Sequence, residues 1–279
     1  MAKLKFVQVD VFTATPFKGN PLAVIAGADE LSDTQMQSIA NWTNLSETTF
    51  LCRPTEADAD YRVRIFTPQR ELPFAGHPTL GTCAAWLQLG NAPRRAHIVQ
   101  QCGVGLVRIR RDGKRLAFAA PPLRRSGPIE ADLLAGIARA LGVAQSAIKA
   151  SQWIDNGPGW VGVMLASRAE LLAIKHDFSL LPGQPIGVVA PCDPARDGTG
   201  AQFEVRAFVG TRASEDPVTG SLNASLAQWL IGAGLAPPSY VAAQGTVLGR
   251  AGRVHVTRDG DDIWIGGDVV SCVEGTIEI

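Results

Sequence analysis

Two seven-residue segments of the chain follow one pattern, Glu-x-Pro-x-x-Gly-(His/Ser), which constrains the fold more than any other feature. The segments are Glu71–His77 and Glu215–Ser221, and they lie 144 positions apart in a chain of 279 residues. Each runs directly into an apolar segment with helical character. Because this spacing is too long for a solenoid repeat, it indicates duplication of a domain. We therefore expect two similar halves, each with one turn-to-helix junction.

Strands dominate the remaining pattern, and each half has one long apolar helix. These helices are predicted at 78–89, with Pro78 at the first helical position, and at 221–231. Residues 61–66 alternate between apolar and polar positions and predict a strand. The sequence thus predicts an α+β fold of two similar domains, each a β-barrel-like sheet wrapped around a central helix.

The duplication also sets the expected domain boundaries. The first domain is predicted at 1–120 and the second at 121–267, with the last strand, about 268–279, returning to the first domain. A further helix is predicted to start after Ser32, because Gln35 completes a capping box, and to end near Thr43.

Composition excludes several classes of function. The chain has 26 Lys and Arg against 26 Asp and Glu, so charge gives no argument for binding nucleic acid or an anionic membrane. Asp10 interrupts the first apolar run too early for a signal peptide, and no apolar stretch reaches 18 residues. Five cysteines, none close to another, argue against a disulfide framework or a zinc site. We expect a cytoplasmic protein without a metal, with its six tryptophans, including Trp42, in the core or lining a crevice.

The two junctions are candidate binding sites. Gly76 with His77, and Gly220 with Ser221, stand where the predicted helices begin. A helix N-terminus offers unpaired N–H groups, and glycine lets a ligand approach the backbone. Two such ends facing one crevice would bind a carboxylate. For one junction alone, a turn glycine and a capping serine explain the residues as well, but the recurrence favours binding.

Four side chains could carry chemistry. His77 can serve as a general acid or base, although a lone histidine is more often a capping or core residue. Asp216 can supply or orient a proton, or simply begin an Asp-Pro turn. Glu47 enters an apolar strand, where a carboxyl group holds its proton more readily; alternatively, it is an exposed charge at the strand end. Asn20 is a ligand contact or a turn residue.

Five segments of the chain together resemble the PhzF family of phenazine-biosynthesis isomerases, in order from the first strand to the last. These segments are Gly19–Val24, Asn44–Phe50, Phe66–Pro68, Glu71–Gly81 and Glu215–Ser221. The resemblance implies the diaminopimelate-epimerase-like fold, a site between two domains, a homodimer, and catalysis without a metal or organic cofactor. It also implies isomerisation of trans-2,3-dihydro-3-hydroxyanthranilate, a small cyclic carboxylate.

The resemblance assigns roles to individual positions. Glu47 matches the acid that takes a proton from one carbon and returns it to another, and His77 and Asp216 match residues that assist tautomerisation and hold the substrate. The substrate contacts match Gly76, Gly220 and Ser221. The epimerase relatives use two cysteines as acid and base, but the cysteines of this chain lie elsewhere. One departure is the run 222–224, which is larger than in phenazine enzymes and suggests a changed substrate.

Three functions are compatible with these residues. The first is an isomerase in which Glu47 moves the proton. The second is a racemase or epimerase of an amino acid or hydroxy acid, with Glu47 and Asp216 on opposite faces of one carbon. The third is a non-enzymatic protein that binds a small molecule in the same pocket.

Overall fold

The protein is described here by a computed structural model for residues 3–210 and 213–279. The chain divides into two compact units. The first comprises Met1–Ala119 together with Gly266–Ile279, and the second comprises Ala120–Ile265.

The first unit contains eleven described elements, and its last strand comes from the C-terminal end of the chain. In chain order they are β1 (Lys3–Val11), β2 (Asn20–Ala26), α1 (Asp33–Thr43), β3 (Thr48–Cys52), β4 (Tyr61–Phe66), β5 (Glu71–Leu72), α2 (Gly76–Gln88), β6 (Ile98–Cys102), β7 (Gly105–Asp112), β8 (Arg115–Ala119) and, as the last strand of the chain, β18 (Val269–Glu278). β18 pairs antiparallel with β1.

The second unit repeats this order with a few additions. Its elements are β9 (Arg125–Gly127), α3 (Ala131–Leu141), β10 (Ala150–Asp155), β11 (Val161–Met164), α4 (Arg168–Ala173), β12 (Ile186–Pro191), α5 (Pro194–Asp197), β13 (Phe203–Val209), β14 (Ser214–Asp216), α6 (Gly220–Gly232), β15 (Ser239–Gln244), β16 (Gly252–Asp259) and β17 (Asp262–Gly267). Short 3₁₀ turns lie at Gln145–Ala147 and Thr246–Leu248.

Strand pairing confirms the duplication that the repeat predicts. In the first unit β1–β2, β3–β4, β4–β5 and β6–β7 are antiparallel, whereas β2–β3 and β4–β6 are parallel. In the second unit β10–β11, β12–β13, β13–β14 and β15–β16 are antiparallel, whereas β11–β12 and β13–β15 are parallel. The two units therefore share one topology, and the repeated heptapeptides fall on equivalent elements.

Each unit places its sheet around one helix, as predicted. α2 packs against β1, β2, β3 and β8, and α6 packs against β10 and β16. Both helices have 13 residues that are mostly buried, which explains why their sequences are apolar on nearly every face. These two helices are the central elements from which the candidate site is built.

The capped helix α1 forms as predicted, but the prediction for Trp42 is wrong. Ser32 accepts a hydrogen bond from the Gln35 N–H, and the Gln35 side chain returns to Ser32. Met36 and Ala40 form the buried face, whereas Trp42 is 80% exposed. Two residues beyond Ala40 turn the helix by about 200°, so Trp42 points away from that face.

Three further observations on the described residues concern membrane-spanning helices, metal ligands and cysteines. No helix within 3–210 and 213–279 is long and apolar enough to cross a membrane. The same residues contain no group of three His, Cys, Asp or Glu side chains placed to hold a metal ion. All five cysteines are free thiols.

Candidate active site

Both junctions begin helices that lack a capping side chain. α2 starts at Gly76 after Ala75, two residues earlier than predicted from Pro78, and α6 starts at Gly220 after Thr219. Neither N-cap side chain accepts a hydrogen bond from an N–H group of its own helix, unlike the N-caps of α1, α4 and α5. Ser221 is the second residue of α6, so it is not a helix cap. Ordinary capping therefore does not account for the two junctions, whose first N–H groups lack partners within the helix.

Three predicted site residues of the first unit lie together. His77 Nε2 is 3.4 Å from Glu47 Oε2, and His77 Nδ1 is 3.4 Å from Asn20 Nδ2. Because the Asn20 amide nitrogen is a donor, Nδ1 accepts from it, and the proton of the neutral imidazole then lies on Nε2, facing Glu47. The His77 and Glu47 side chains are only 5% and 12% exposed. Glu47 is thus a buried carboxyl group, not an exposed charge at a strand end.

Local sequence explains why Asn20 occupies this place. A Cβ at Gly19 would lie 2.2 Å from the carbonyl oxygen of Val11, so only glycine fits where the turn passes β1. The Gly19 N–H donates to Asp10 Oδ2 at 2.9 Å, which fixes the turn to the end of β1. Pro21 then follows Asn20, and β2 begins with the Asn20 side chain fully buried.

A short loop between α1 and β3 holds Glu47. Asn44 ends α1 in the left-handed conformation with φ 53°, which asparagine tolerates better than most residues. The hydroxyl groups of Thr43 and Thr48 are hydrogen-bonded at 2.7 Å across the loop. Glu47 immediately precedes a strand whose five residues are all buried, and its own side chain is largely buried beside His77.

In the second unit, Asp216 lies in a braced turn before α6. Its Oδ2 accepts a hydrogen bond of 2.5 Å from Thr219 Oγ1, and its side chain is buried. Gln244 spans the turn, because its Nε2 donates to Asp216 O and Thr219 Oγ1 while its Oε1 accepts from the Thr219 N–H. Asn223 Nδ2 donates to Gln244 Oε1 at 2.8 Å. The backbone around Asp216 is therefore fixed by buried polar side chains.

Ser221 has two partners that sequence reasoning missed. Trp160 Nε1 donates to Ser221 Oγ at 3.2 Å, and Asn156 Nδ2 donates to the Ser221 carbonyl at 3.0 Å. Both partners are buried and flank the turn 157–159. The sequence signal near both residues is the turn motif Asn-Gly-Pro-Gly at 156–159. This motif predicts a turn, but it does not identify the helix that Asn156 contacts 65 residues further along the chain.

Gln100 and Gln244 were also missed, although the repeat contains them. They stand 144 positions apart, the spacing of the two heptapeptides. Gln100 Nε2 donates a hydrogen bond to Thr79 Oγ1 at 3.0 Å. Gln244 Oε1 accepts one from Asn223, which occupies the position of α6 equivalent to Thr79 in α2. Each unit thus ties its central helix to the next strand through one buried glutamine. Gln100 lies 29 residues after Glu71, and Gln244 lies 29 residues after Glu215, so the match between the two halves continues to these glutamines.

The run 222–224, which departs from the family pattern, lies inside the second unit. Leu222, Asn223 and Ala224 are all buried in α6. A Cβ at Gly187 would lie 2.2 Å from Leu222 Cδ1, so the absence of a side chain on β12 makes room for this leucine. The larger residue is accommodated by the packing of the unit.

Asn20, Glu47 and His77 form the first cluster, which has the chemical features of an acid–base pair. A buried carboxyl group beside an imidazole can pass a proton to and from a ligand in a place where water is excluded. Asp216, Thr219 and Ser221 form the second cluster, which offers hydroxyl groups, a carboxylate and the N-terminus of α6.

Cys83 of α2 is fully buried, and burial raises the pKa of its thiol to about 12. This cysteine is therefore not ionised near neutral pH.

Comparisons with known proteins agree on one family. A profile of the PhzC-PhzF family, described as phenazine biosynthesis-like protein, matches residues 9–275. Antisense-enhancing sequence 1 of Schizosaccharomyces pombe is 36% identical, covering 99% of each chain. The trans-2,3-dihydro-3-hydroxyanthranilate isomerase of Pseudomonas aeruginosa is 36% identical, covering 97% of this chain and 94% of its own. A crystal structure of a PhzF family protein from Enterococcus faecalis covers both chains completely, with a TM-score of 0.83 and 27% identity.

Proposed function

Because the chain belongs to the PhzC-PhzF family of phenazine biosynthesis-like proteins and is an isomerase, we propose that it moves a proton on a small cyclic carboxylate. The proposed reaction is of the trans-2,3-dihydro-3-hydroxyanthranilate isomerase type. It changes the position of one proton and of the double bonds, with no net gain or loss of atoms. The reaction we propose therefore uses only side chains as acids and bases.

The observation that carries this proposal is the buried Glu47–His77 pair. Glu47, as carboxylate, removes a proton from one carbon of a planar substrate, and the resulting carboxylic acid returns it to another carbon on the same face. One group suffices when it reaches both carbons. His77, within 3.4 Å of Glu47 and held on its other side by Asn20, stabilises the charge that alternates on the carboxyl group.

The second cluster is proposed to bind the substrate. Asp216 holds a polar group of the substrate and assists its tautomerisation. Gly220 and Ser221, at the uncapped start of α6, bind its carboxylate through backbone N–H groups and the hydroxyl group. Gly76 makes the corresponding backbone contact at α2. Resemblance to the family is the basis for these roles, and for the further proposals that the protein is a homodimer and requires no metal or organic cofactor. The cytoplasmic location that we propose rests instead on the five dispersed cysteines, which suit a reducing compartment.

Proton NMR in deuterated water tests the proposal directly. Trans-2,3-dihydro-3-hydroxyanthranilate is supplied to the wild type and to Glu47→Gln, which keeps the size of the side chain but cannot accept a proton. We expect the wild type to convert the substrate resonances into those of the product, and a loss of about 10²- to 10⁴-fold in turnover by the variant. Circular dichroism and ligand binding should stay unchanged, because the amide occupies the same volume.

A matched control uses a carboxylate outside the cluster. Glu30 has a side chain that is 95% exposed, so Glu30→Gln should keep full activity. Near wild-type turnover by Glu47→Gln would refute the role of Glu47. Binding without turnover by the wild type would refute this substrate, and deuterium at an α-carbon with loss of optical purity on amino or hydroxy acids would instead identify a racemase.

A further inference from the structure

The first residue of each repeated heptapeptide, Glu71 or Glu215, has no part in the proposed chemistry. Each glutamate nevertheless binds an arginine through the same pair of atoms. In the first unit, Arg64 Nε and Nη2 donate to the two carboxylate oxygens of Glu71 at 2.8 and 2.6 Å. In the second, Arg206 Nε and Nη2 donate to Glu215 at 2.9 and 2.7 Å. We call these pairs the first clamp and the second clamp.

The register of the strands explains why the two clamps coincide. Glu71 pairs across the strands with Phe66, and its arginine lies two residues before that phenylalanine. Glu215 pairs in the same way with Phe208, two residues after Arg206. Two residues along a strand return to the same face, so the arginine and glutamate are diagonal neighbours. Each guanidinium also lies over the intervening phenylalanine ring, at 5.1 and 4.8 Å.

Each clamp holds a very short strand at the point where the chain enters the junction. β5 has two residues and β14 has three, so few backbone hydrogen bonds fix either strand. A bidentate arginine–carboxylate pair adds two charge-assisted hydrogen bonds with a fixed geometry. Glu215 is the immediate neighbour of Asp216, whereas Glu71 is six residues from His77. The second clamp therefore acts most directly on a proposed site residue.

The two clamps differ in their surroundings. Arg206 and Glu215 have side chains only 5% and 9% exposed, and Arg206 Nη1 also donates to the carbonyls of Leu171 and Ile174. The corresponding Glu71 is 41% exposed, and Arg64 is shared with Asp33. Because water competes less in the buried pair, the second clamp should constrain its strand more strongly than the first.

We propose that Arg206 and Glu215 are positioning residues that hold Asp216 in its working place, and that Arg64 and Glu71 do the same more weakly for the His77 junction. The catalytic part of this inference rests on the proposed function. Its structural part does not, because a strand held by a clamp is protected from local opening whatever the substrate is.

Amide hydrogen exchange of the full chain tests the structural part without a substrate. Arg206→Lys keeps the charge but cannot bind both carboxylate oxygens in the same plane. We expect exchange at residues 216–221 to become about tenfold to a hundredfold faster, consistent with the loss of one charge-assisted hydrogen bond. Exchange at residues 71–77 should stay at the wild-type rate. Arg64→Lys is the matched control and should give the reciprocal pattern with a smaller change.

Kinetics test the catalytic part on any substrate that the wild type converts. Arg206→Lys and Glu215→Gln should each lower kcat/KM by about tenfold or more, and the double variant should lose little beyond either single one, because both remove the same clamp. Unchanged exchange at 216–221, or equal acceleration in both segments, would overturn the proposal, as would additive kinetic losses. If Arg206→Lys did not fold, Glu215→Gln would test the same clamp by the same exchange measurement, because it leaves Arg206 and its bonds to Leu171 and Ile174 in place. An inactive wild type would refute the proposed function and leave the exchange result standing.

Discussion

The contact between Gly187 of β12 and Leu222 of α6 gives a quantitative test of how the second unit is packed. A Cβ added at Gly187 would lie 2.2 Å from Leu222 Cδ1 and 2.9 Å from Cδ2, well inside van der Waals contact. Both residues are buried, and Leu222 has no exposed surface. Gly187→Ala should therefore overpack the unit and lower the free energy of unfolding by about 1–3 kcal/mol.

A second substitution, at Leu222, removes the side-chain atoms that a Cβ at position 187 would overlap. Leu222→Ala deletes a fully buried side chain and should cost about 2–5 kcal/mol. In that background the new methyl group at position 187 enters the vacated space, so Gly187→Ala should cost close to nothing. The double variant is thus expected to be more stable than the sum of the single changes implies, by about 1–3 kcal/mol.

Urea unfolding measured by tryptophan fluorescence gives these free energies, provided that the m-value is the same for all four proteins. Gly81→Ala is a matched control in the first unit, where its Cβ would lie 2.5 Å from Leu22 Cδ2. Its cost should add to that of Leu222→Ala within about 0.5 kcal/mol. Equally additive costs for the Gly187–Leu222 pair would refute the reasoning, because no direct contact would then couple the two positions.

Two further predictions concern titratable groups that the proposed mechanism does not use. The ring of His176 stacks on Phe208 with 4.5 Å between the ring centroids, and burial lowers the pKa of this histidine. As the pH falls below about 6.5, the unfolded chain therefore binds a proton before the folded chain does, and the free energy of unfolding declines. His176→Phe should lose less unfolding free energy than the wild type between pH 7.5 and 5.5 in urea titrations, and equal losses would contradict this. Burial raises the pKa of the Cys83 thiol to about 12, so iodoacetamide at pH 7.5 should modify this residue only after denaturation. Mass spectrometry of the native protein would detect Cys83 alkylation if the thiol were accessible and ionised.

The features that could be predicted from the sequence are those in which a local pattern is long enough to have a period. The capping box of Ser32 and Gln35, the alternation in β4 and the two apolar helices all form as expected. The short strands β5 and β14 were not predicted, because two or three residues cannot display alternation. They exist because each pairs with a longer strand and is held by an arginine from that strand.

The site shows the same division between local and long-range information. His77 and Ser221 follow from the repeat, since both occupy its seventh position. The contact of Glu47 with an imidazole could not be predicted from its neighbours, because His77 lies thirty residues further along the chain. The roles of Asn156 and Trp160 could not be predicted for the same reason, because their partner, Ser221 of α6, is distant in the sequence. Only distant contacts distinguish these residues from ordinary turn and core positions.

The duplication suggests why two matching junctions would serve different purposes. Topology, clamp, uncapped helix start and buried glutamine recur in both units, although the residue at the seventh position of the heptapeptide is different. The seventh position then differs, with a titratable His77 beside Glu47 in one unit and a non-titratable Ser221 in the other. Under the proposed function, the first junction transfers the proton and the second binds the carboxylate. Exchanging only the seventh residues would therefore not exchange the roles, because Glu47 belongs to the first unit alone and the second clamp holds Asp216.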